Sequence, residues 1–220
     1  MMRRPWLSLA ILLALGGCQD AAAPANDQYR AGSRLSVQGE LSSASNSSTQ
    51  VHILQQSPTA PPLETYQLSF WAYKQGKAST VTVNYQPAAG DSLVQPFLRF
   101  HVPRNSLQDF AGVDSLQKGD SVAVTLTIDP VAFSVDFEPS GLLFSTSLSP
   151  TLAICYENAD PDLNGDGFVD ATDELQAQQL ALWYHDVNDS RWLRLLPKNV
   201  TTQACVAAPL YHFSEYAVSW

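Results

Sequence analysis

Apolar and polar side chains alternate over much of the chain after Tyr66. The alternation is clearest in four segments rich in β-branched and aromatic residues: 81–85, 122–128, 133–137 and 152–156. A period of two places successive side chains on opposite faces of a strand, so each segment predicts a strand with one face on a core. Turn-forming sequences punctuate the strands at 76–77, 89–91, 118–120 and 139–141. Many short strands at this spacing predict an all-β sandwich or barrel.

The first residues follow a different pattern. Arg3 and Arg4 precede an almost wholly apolar run over 5–15, and Gly16 and Gly17 then precede Cys18. A positive start, a short apolar run and small residues before a cut predict a secretory signal over 1–17. The ending looks like a lipobox, in which the Cys18 thiol takes a lipid and becomes the first residue. An ordinary signal with a chance cysteine is the alternative.

The pattern divides the remaining chain in two. Residues 18–62 contain small, Ser-rich and Pro-rich stretches that predict a tether, with a short strand at 51–54. Residues 63–220 form the predicted β domain. A segment from Ala171 to about Gln179, rich in Gln, Ala and Leu, predicts its one helix.

Charge and cysteine content narrow the functional classes. The chain has 12 Lys and Arg against 21 Asp and Glu, a net charge of −9. A nucleic-acid-binding protein needs a basic face, so we expect no nucleic-acid partner.

Two cysteines remain after Cys18, and an oxidising compartment favours a disulfide between Cys155 and Cys205. Two buried thiols in neighbouring strands are the alternative.

Residues 162–173 fit the twelve-residue calcium loop of EF-hands. Oxygen ligands fall at the required positions: Asp162, Asn164, Asp166, the carbonyl of Phe168, Asp170 and Asp173. Gly167 permits the sharp turn, and Asp at the last position is similar to dockerin-type loops. Seven acids and no Lys or Arg lie in 157–174, and this repulsion favours a bound cation. The sequence therefore predicts a calcium clip. A solvated acidic turn is the alternative, because Asp, Asn and Gly are turn formers.

Several further segments resemble, in order, the ZU-five domain of netrin receptors, ankyrins and zonula occludens protein. The segments are 97–107, Pro139 to Phe144, 152–156, 182–184 with Trp192, and 212–218, so that the resemblance covers about residues 95–220. It implies an antiparallel β-sandwich that works as a protein-interaction module. An acidic insert at 157–174 departs from the family pattern, and the predicted short helix follows the acidic loop.

The tripeptide His212-Phe213-Ser214 adds a second hypothesis through the same resemblance. In some related domains this sequence cleaves itself between Phe213 and Ser214, with the serine hydroxyl as nucleophile and His212 as base or polarising group. Such a hydroxyl needs an adjacent base and strain. The structural alternative places His212, Ser214 and Tyr216 on one face of a single strand, with Phe213 on the other.

Together these features predict a non-enzymatic binding or structural module of the bacterial envelope. Its partner is an unknown protein or envelope component, and the lipid at Cys18 holds it to the membrane. In Gram-negative lipoproteins, Asp directly after the lipidated cysteine favours retention in the inner membrane. Gln19 stands at that position, so the resemblance to lipoproteins implies the outer membrane.

A carbohydrate-binding module is the remaining alternative. It would use four tryptophans that a sandwich core could also bury: Trp71, Trp183, Trp192 and Trp220.

Overall fold

The computed structural model describes residues 51–88, 90, 94–110, 115–198 and 204–220. The predicted signal, Cys18 and most of the predicted tether lie outside these residues. The first strands are β1 (Gln67–Tyr73), β2 (Ser79–Asn84), β3 (Pro96–Val102), β4 (Leu107–Phe110), β5 (Ser121–Ile128) and β6 (Ser134–Glu138). The later elements are β7 (Leu142–Phe144), β8 (Thr151–Cys155), α1 (Ala171–Ala177), β9 (Ala181–Asp186), β10 (Arg191–Arg194), β11 (Cys205–Pro209) and β12 (Glu215–Ser219).

The strands form antiparallel sheets. A six-stranded sheet has the order β1-β5-β6-β12-β9-β10, and a four-stranded sheet has the order β11-β8-β3-β2. Strands β4 and β7 make a separate two-stranded sheet. Strands that are distant in sequence are neighbours here, since β12 pairs with both β6 and β9. The all-β prediction is therefore confirmed.

Aromatic side chains pack the two large sheets against each other. Phe100 of the four-stranded sheet contacts Phe70 and Phe137 of the six-stranded sheet, with ring centroids 6.0 Å and 4.8 Å away. Phe97 stacks on Phe133, which immediately precedes β6, at 5.4 Å. These rings are buried apart from the half-buried Phe70. Because the contacts run from one sheet to the other, the architecture is a β-sandwich.

Alternation of apolar residues explains which face each strand buries. In β5, Val124, Leu126 and Ile128 are buried, whereas Thr127 is exposed. Thr125 on the outward face meets Ser69 of β1 through a 3.0 Å hydrogen bond between hydroxyls. The side-chain periodicity of the sequence thus gives the core face directly.

The residues just before the first long strand also belong to this packed unit. Leu54 and Leu63 are 1% exposed and lie in the core. Ile53 bridges to Ser219, and the amide of Leu54 donates to the carbonyl of Val218 at 2.9 Å. The described part of the predicted tether is therefore held against β12.

The predicted disulfide is present between Cys155 and Cys205. The two residues face each other in the antiparallel pair β8 and β11, and they are separated by 50 positions in sequence. The bond therefore ties the edge strand β11 to its neighbour. The alternative of two free thiols is wrong.

The predicted helix is also present, but it ends at Ala177 rather than near Gln179. Asp170 caps its start, because the Asp170 carboxylate accepts a 2.7 Å hydrogen bond from the amide of Thr172. Asp173 completes a capping box by accepting from the backbone of Asp170. The helix spans only seven residues, and Asp173 is its only buried residue. The chain leaves the helix after Ala177.

Candidate functional site

Asp162 organises the first half of the predicted calcium loop. Its Oδ1 accepts from the amides of Gly165 and Asp166 at 2.8 Å and 3.2 Å, and its Oδ2 accepts from Gly167 at 2.7 Å. Gly165 and Gly167 have φ of 72° and 89°, which is the left-handed region that glycine enters without steric cost. The loop therefore wraps its backbone amides around one carboxylate.

Asn164 and Asp166 are brought next to that carboxylate. The Asn164 Nδ2 donates to Asp166 Oδ2 at 3.0 Å, and the Asn164 Oδ1 accepts from the Asp166 amide at 2.8 Å. Asp166 Oδ1 in turn accepts from the amide of Phe168 at 2.9 Å. The first three predicted ligands, Asp162, Asn164 and Asp166, are thus neighbours that hydrogen bonds connect within the loop.

Asp173 has a role that the sequence did not predict. Its carboxylate is 3% exposed and joins the start of the loop to the start of the helix. Oδ1 accepts from the amides of Leu163 and Asn164 at 2.8 Å and 3.2 Å, and Oδ2 accepts from Asp170 at 2.8 Å. We call this set of three bonds the Asp173 clasp. The only hint in the sequence was the spacing Asp170-x-x-Asp173, which resembles a capping box.

These residues fit calcium unequally. Asp162, Asn164, Asp166 and Asp170 are exposed or half-buried and carry side-chain oxygens, and the Phe168 carbonyl can add a further one. Asp173 uses three of the roughly four acceptor positions of a carboxylate on backbone amides, so two-oxygen contact with a cation would displace part of the clasp. Among the described residues, no three His, Cys, Asp or Glu side chains converge on a ready metal site.

The tripeptide at 212–214 precedes β12 instead of lying in it. Phe213 is buried against Phe137 and Phe144 at 4.8 Å and 4.9 Å. Tyr216 also contacts Phe137, at 5.9 Å. Phe213 and Tyr216 therefore both enter the core, so the structural alternative, with one continuous strand and alternating faces over 212–216, is wrong. The reason is that His212 bridges to Leu143, outside the ladder of β12.

The bond between Phe213 and Ser214 has polar groups on both sides. The Phe213 carbonyl oxygen accepts from the amide of Gly141 at 3.4 Å and lies 3.4 Å from His212 Nδ1. The Ser214 hydroxyl donates to the backbone carbonyl of His185 at 2.5 Å rather than to an imidazole. The Phe213 carbonyl therefore has two polar neighbours, whereas the Ser214 hydroxyl contacts a carbonyl that cannot take its proton.

A groove of about 680 Å³ lies beside this tripeptide, and we call it the carboxylate groove. Its lining includes four acids on neighbouring strands together with apolar and aromatic side chains: Asp136, Glu138, Asp186, Glu215, Leu143, Tyr184, His185 and Val187. Asp136 and Glu215 are direct cross-strand partners. Sequence reasoning missed this groove, because its acids are separated by almost eighty positions.

Burial, more than any other cause, raises the pKa of both Asp136 and Glu215. Glu138 raises the pKa of Asp136 further, and Asp136 raises that of Glu215. His185 opposes the shift at Glu215, since its Nδ1 lies 3.8 Å from the Glu215 carboxylate. Within the described part of the chain, neither acid has a Lys or Arg within 4.0 Å.

The strand register places Trp71, Trp183 and Trp192 on the outward face of the six-stranded sheet, on β1, β9 and β10. Trp71 is 54% exposed on the edge strand β1, so a core position is wrong for it. Trp183 donates its indole N–H to the Ser219 carbonyl at 3.1 Å. Trp192 and Trp220 pack on the rings of His185 and His52, at 5.1 Å and 5.5 Å. Three of the four thus have local structural partners.

Comparison with known proteins leaves the family unassigned. No family model matches the chain, and neither a curated protein nor a solved structure shows significant similarity to it. The resemblance to the ZU-five domain therefore stays a prediction. Among the described residues, no helix has the length and apolar character needed to cross a bilayer.

The Asp173 clasp predicts a specific pH dependence of stability. The clasp lowers the pKa of Asp173, with the bond from Asp170 as the largest cause. A lowered pKa stabilises the fold above the unfolded-state value of 3.8, and this contribution is lost as the pH falls through the lower folded-state value. In the presence of a calcium chelator, Asp173→Asn should be less stable than wild type at pH 7, and the difference should shrink on acidification toward pH 3.

Urea denaturation of both proteins across this pH range measures the effect. Glu157→Gln is the control, because it removes an exposed charge of the same insert and leaves the clasp in place. It should remain close to wild type throughout. A constant difference between Asp173→Asn and wild type at every pH would show that the carboxylate charge is not what the clasp requires.

Proposed function

We propose that this protein is a lipid-tethered, non-enzymatic binding module of the bacterial envelope, and that a protein partner docks at the carboxylate groove. The lipobox supports the tether, and the groove supports the binding role. The observation that carries the proposal is the pairing of Asp136 with Glu215 across β6 and β12, with a raised pKa at both. Two neighbouring, partly desolvated carboxylates are costly unless a positive group neutralises them.

The chemistry of the groove identifies the kind of partner. A Lys or Arg side chain would neutralise the paired acids and gain charge-assisted hydrogen bonds from them. Leu143 and Val187 at the rim are 37% and 70% exposed, and they offer apolar area to the flanking residues of the partner. A mixture of apolar rim contacts and one charged anchor is typical of protein-binding sites. We therefore expect the partner to present a basic side chain next to apolar ones.

Photo-crosslinking in the native envelope tests the partner. A photoreactive residue at position 143 or 187 should crosslink to the same protein, and one at the distant, 83% exposed position 196 should not. The double variant Asp136→Asn, Glu215→Gln should reduce the crosslinked product at least five-fold, because the partner loses its anchor.

The control is the charge-matched double variant Glu64→Gln, Glu157→Gln, which should crosslink as the wild type does. Both double variants must show the far-UV spectrum of a β protein. Different products from positions 143 and 187, or an unchanged product in the Asp136 and Glu215 variant, would contradict docking at this groove.

We further propose that calcium stabilises the insert. Asp162, Asn164, Asp166, Asp170 and the Phe168 carbonyl would hold the ion, because calcium prefers six to eight oxygen ligands in a flexible arrangement. Water would complete the coordination, and the Asp173 clasp would hold the two ends of the loop together. The ion would offset the repulsion among the acids of the insert.

Isothermal titration of the chelator-treated protein should show calcium binding with one site per chain. Asp166→Ala should abolish the heat, since it removes a central ligand without touching the Asp173 clasp. Asp189→Ala, which removes an acid of the β9–β10 turn outside the loop, should bind as the wild type does. Absence of heat for the wild-type protein would refute the calcium clip.

Self-processing is a second candidate, favoured by the two polar groups that face the Phe213 carbonyl. In this reaction the Ser214 oxygen bonds to the Phe213 carbonyl carbon, and the C–N bond breaks as the Ser214 nitrogen takes the proton. Water then opens the ester, leaving two chains. Rotation of the Ser214 hydroxyl away from the His185 carbonyl would have to come first.

Intact mass under denaturing conditions distinguishes the two candidates and also tests the tether. For the binding module, protein purified from its native envelope should consist of residues 18–220 with lipid on Cys18. Self-processing predicts a chain that ends at Phe213 and a released peptide 214–220. A chain that begins at Met1 with an unmodified Cys18 would refute the lipid tether.

A further inference from the structure

A second groove, of about 710 Å³, lies where three turns meet, and we call it the basic groove. It is lined by three cations, three amides, one acid and one apolar residue: Lys74, Arg104, Lys118, Gln75, Asn105, Gln108, Asp109 and Leu107. Three of the twelve Lys and Arg residues of an acidic protein therefore line one groove. The charge of these three cations is opposite in sign to the net charge of the chain.

The fold brings these cations together from two sheets. Lys74 follows β1 and Lys118 precedes β5 of the six-stranded sheet, whereas Arg104 follows β3 of the four-stranded sheet. The turns at Lys74 and Lys118 are joined directly, because the Lys74 amide donates to the Asp120 carbonyl at 2.9 Å and the Gly119 amide donates to the Lys74 carbonyl at 3.2 Å. The Lys74 ammonium also donates to the carbonyl of Gln108.

Two of the turns adopt a backbone conformation that their residues disfavour. Gln75 and Asn105 have φ of 57° and 62°. The left-handed region costs a non-glycine residue about 1 kcal/mol or more, and Asn tolerates it better than Gln. Both residues line the groove and add amide groups beside the cations. These turns are therefore held by the surrounding fold rather than by local preference.

The nearby acids make no close ion pair with these cations, although Lys74 is one of the smaller causes that lower the pKa of Asp109. The Asp109 carboxylate accepts from the amides of Phe110 and Leu116 at 3.0 Å and 3.1 Å, and these bonds are the main reason that its pKa is lowered. The Asp120 carboxylate accepts from the amide of Gln117 at 2.6 Å. Among the described residues, no carboxylate lies within 4.0 Å of the charged groups of Lys74, Arg104 or Lys118.

We propose that the basic groove binds a phosphate group. A phosphate monoester carries about two negative charges and three acceptor oxygens, whereas a carboxylate carries one charge and two oxygens. Arg104 offers a planar fork that matches phosphate oxygens, and the two lysines add point charges. The Gln75, Asn105 and Gln108 amides can donate to the remaining oxygens. This site is separate from the proposed partner groove and does not depend on it.

The phosphate can belong to a soluble molecule or to a lipid headgroup, and two measurements separate these sources. Both use the predicted mature chain, residues 18–220, with Cys18→Ser, so that neither the apolar run over 5–15 nor an attached lipid can carry the protein to a membrane. Isothermal titration with inorganic pyrophosphate measures binding of soluble phosphate. Sedimentation with vesicles that contain phosphatidic acid, whose headgroup is a phosphate monoester, compared with phosphatidylcholine vesicles, measures binding of a lipid headgroup.

The triple variant Lys74→Gln, Arg104→Gln, Lys118→Gln should weaken binding at least ten-fold. Since Lys74 also bonds to Gln108, the double variant Arg104→Gln, Lys118→Gln provides a second version that keeps this contact. The control is Lys77→Gln, Arg99→Gln, Lys198→Gln, which removes three exposed cations outside the groove and should bind as the parent protein does. Binding of the parent should also weaken between 50 mM and 300 mM salt.

Each outcome decides the proposal. Pyrophosphate binding that the groove variants lose supports it with a soluble ligand as the source, and selective vesicle binding that they lose supports it with a lipid headgroup. The proposal is overturned if the parent binds neither probe, or if the control variant loses binding as much as the groove variants do. Crosslinking at the carboxylate groove is measured separately, so failure of either site leaves the other testable.

Discussion

Contact between the rings of Phe137 and Phe100 is the interaction on which the rest of the structure depends. It joins the two large sheets, and Phe213 and Tyr216 pack on the same Phe137 ring. Phe213 then contacts Phe144 of the small sheet. A buried cluster of this kind supplies most of the stability of a sandwich, because it removes large apolar areas from water. It also fixes the backbone at 212–214, and through it one wall of the carboxylate groove.

The sequence predicted the features that depend on local pattern. Alternation located β2, β5, β6 and β8, and turn residues separated them, whereas calcium binding at 162–173 stays a prediction from spacing. The pairing of Cys155 with Cys205 followed from the count of cysteines and the compartment. Each of these predictions uses a dozen consecutive residues or fewer, or the composition of the chain. None of them requires knowledge of the tertiary contacts.

Features that depend on distant residues could not be predicted in this way. The Asp136–Glu215 pair and the basic groove exist because strands and turns far apart in sequence become neighbours. The alternation predicted that Phe213 and Tyr216 lie on opposite faces, but the bridge of His212 to Leu143 delays the start of β12 and brings both rings into the core. Asp173 was predicted as a calcium ligand, and the structure shows that its carboxylate holds the backbone of the loop.

The attachment of residues 53–57 has a mechanical consequence. These residues bond to the carbonyl of Val218 in the last strand, to Val131 before β6 and to Asn158 at the start of the acidic insert. A pull applied at Val51 would therefore load these contacts before the strands that follow them in sequence. Since they connect to β12, which pairs with β6 and β9 inside the large sheet, the force would be shared by the centre of the sheet instead of peeling away an edge.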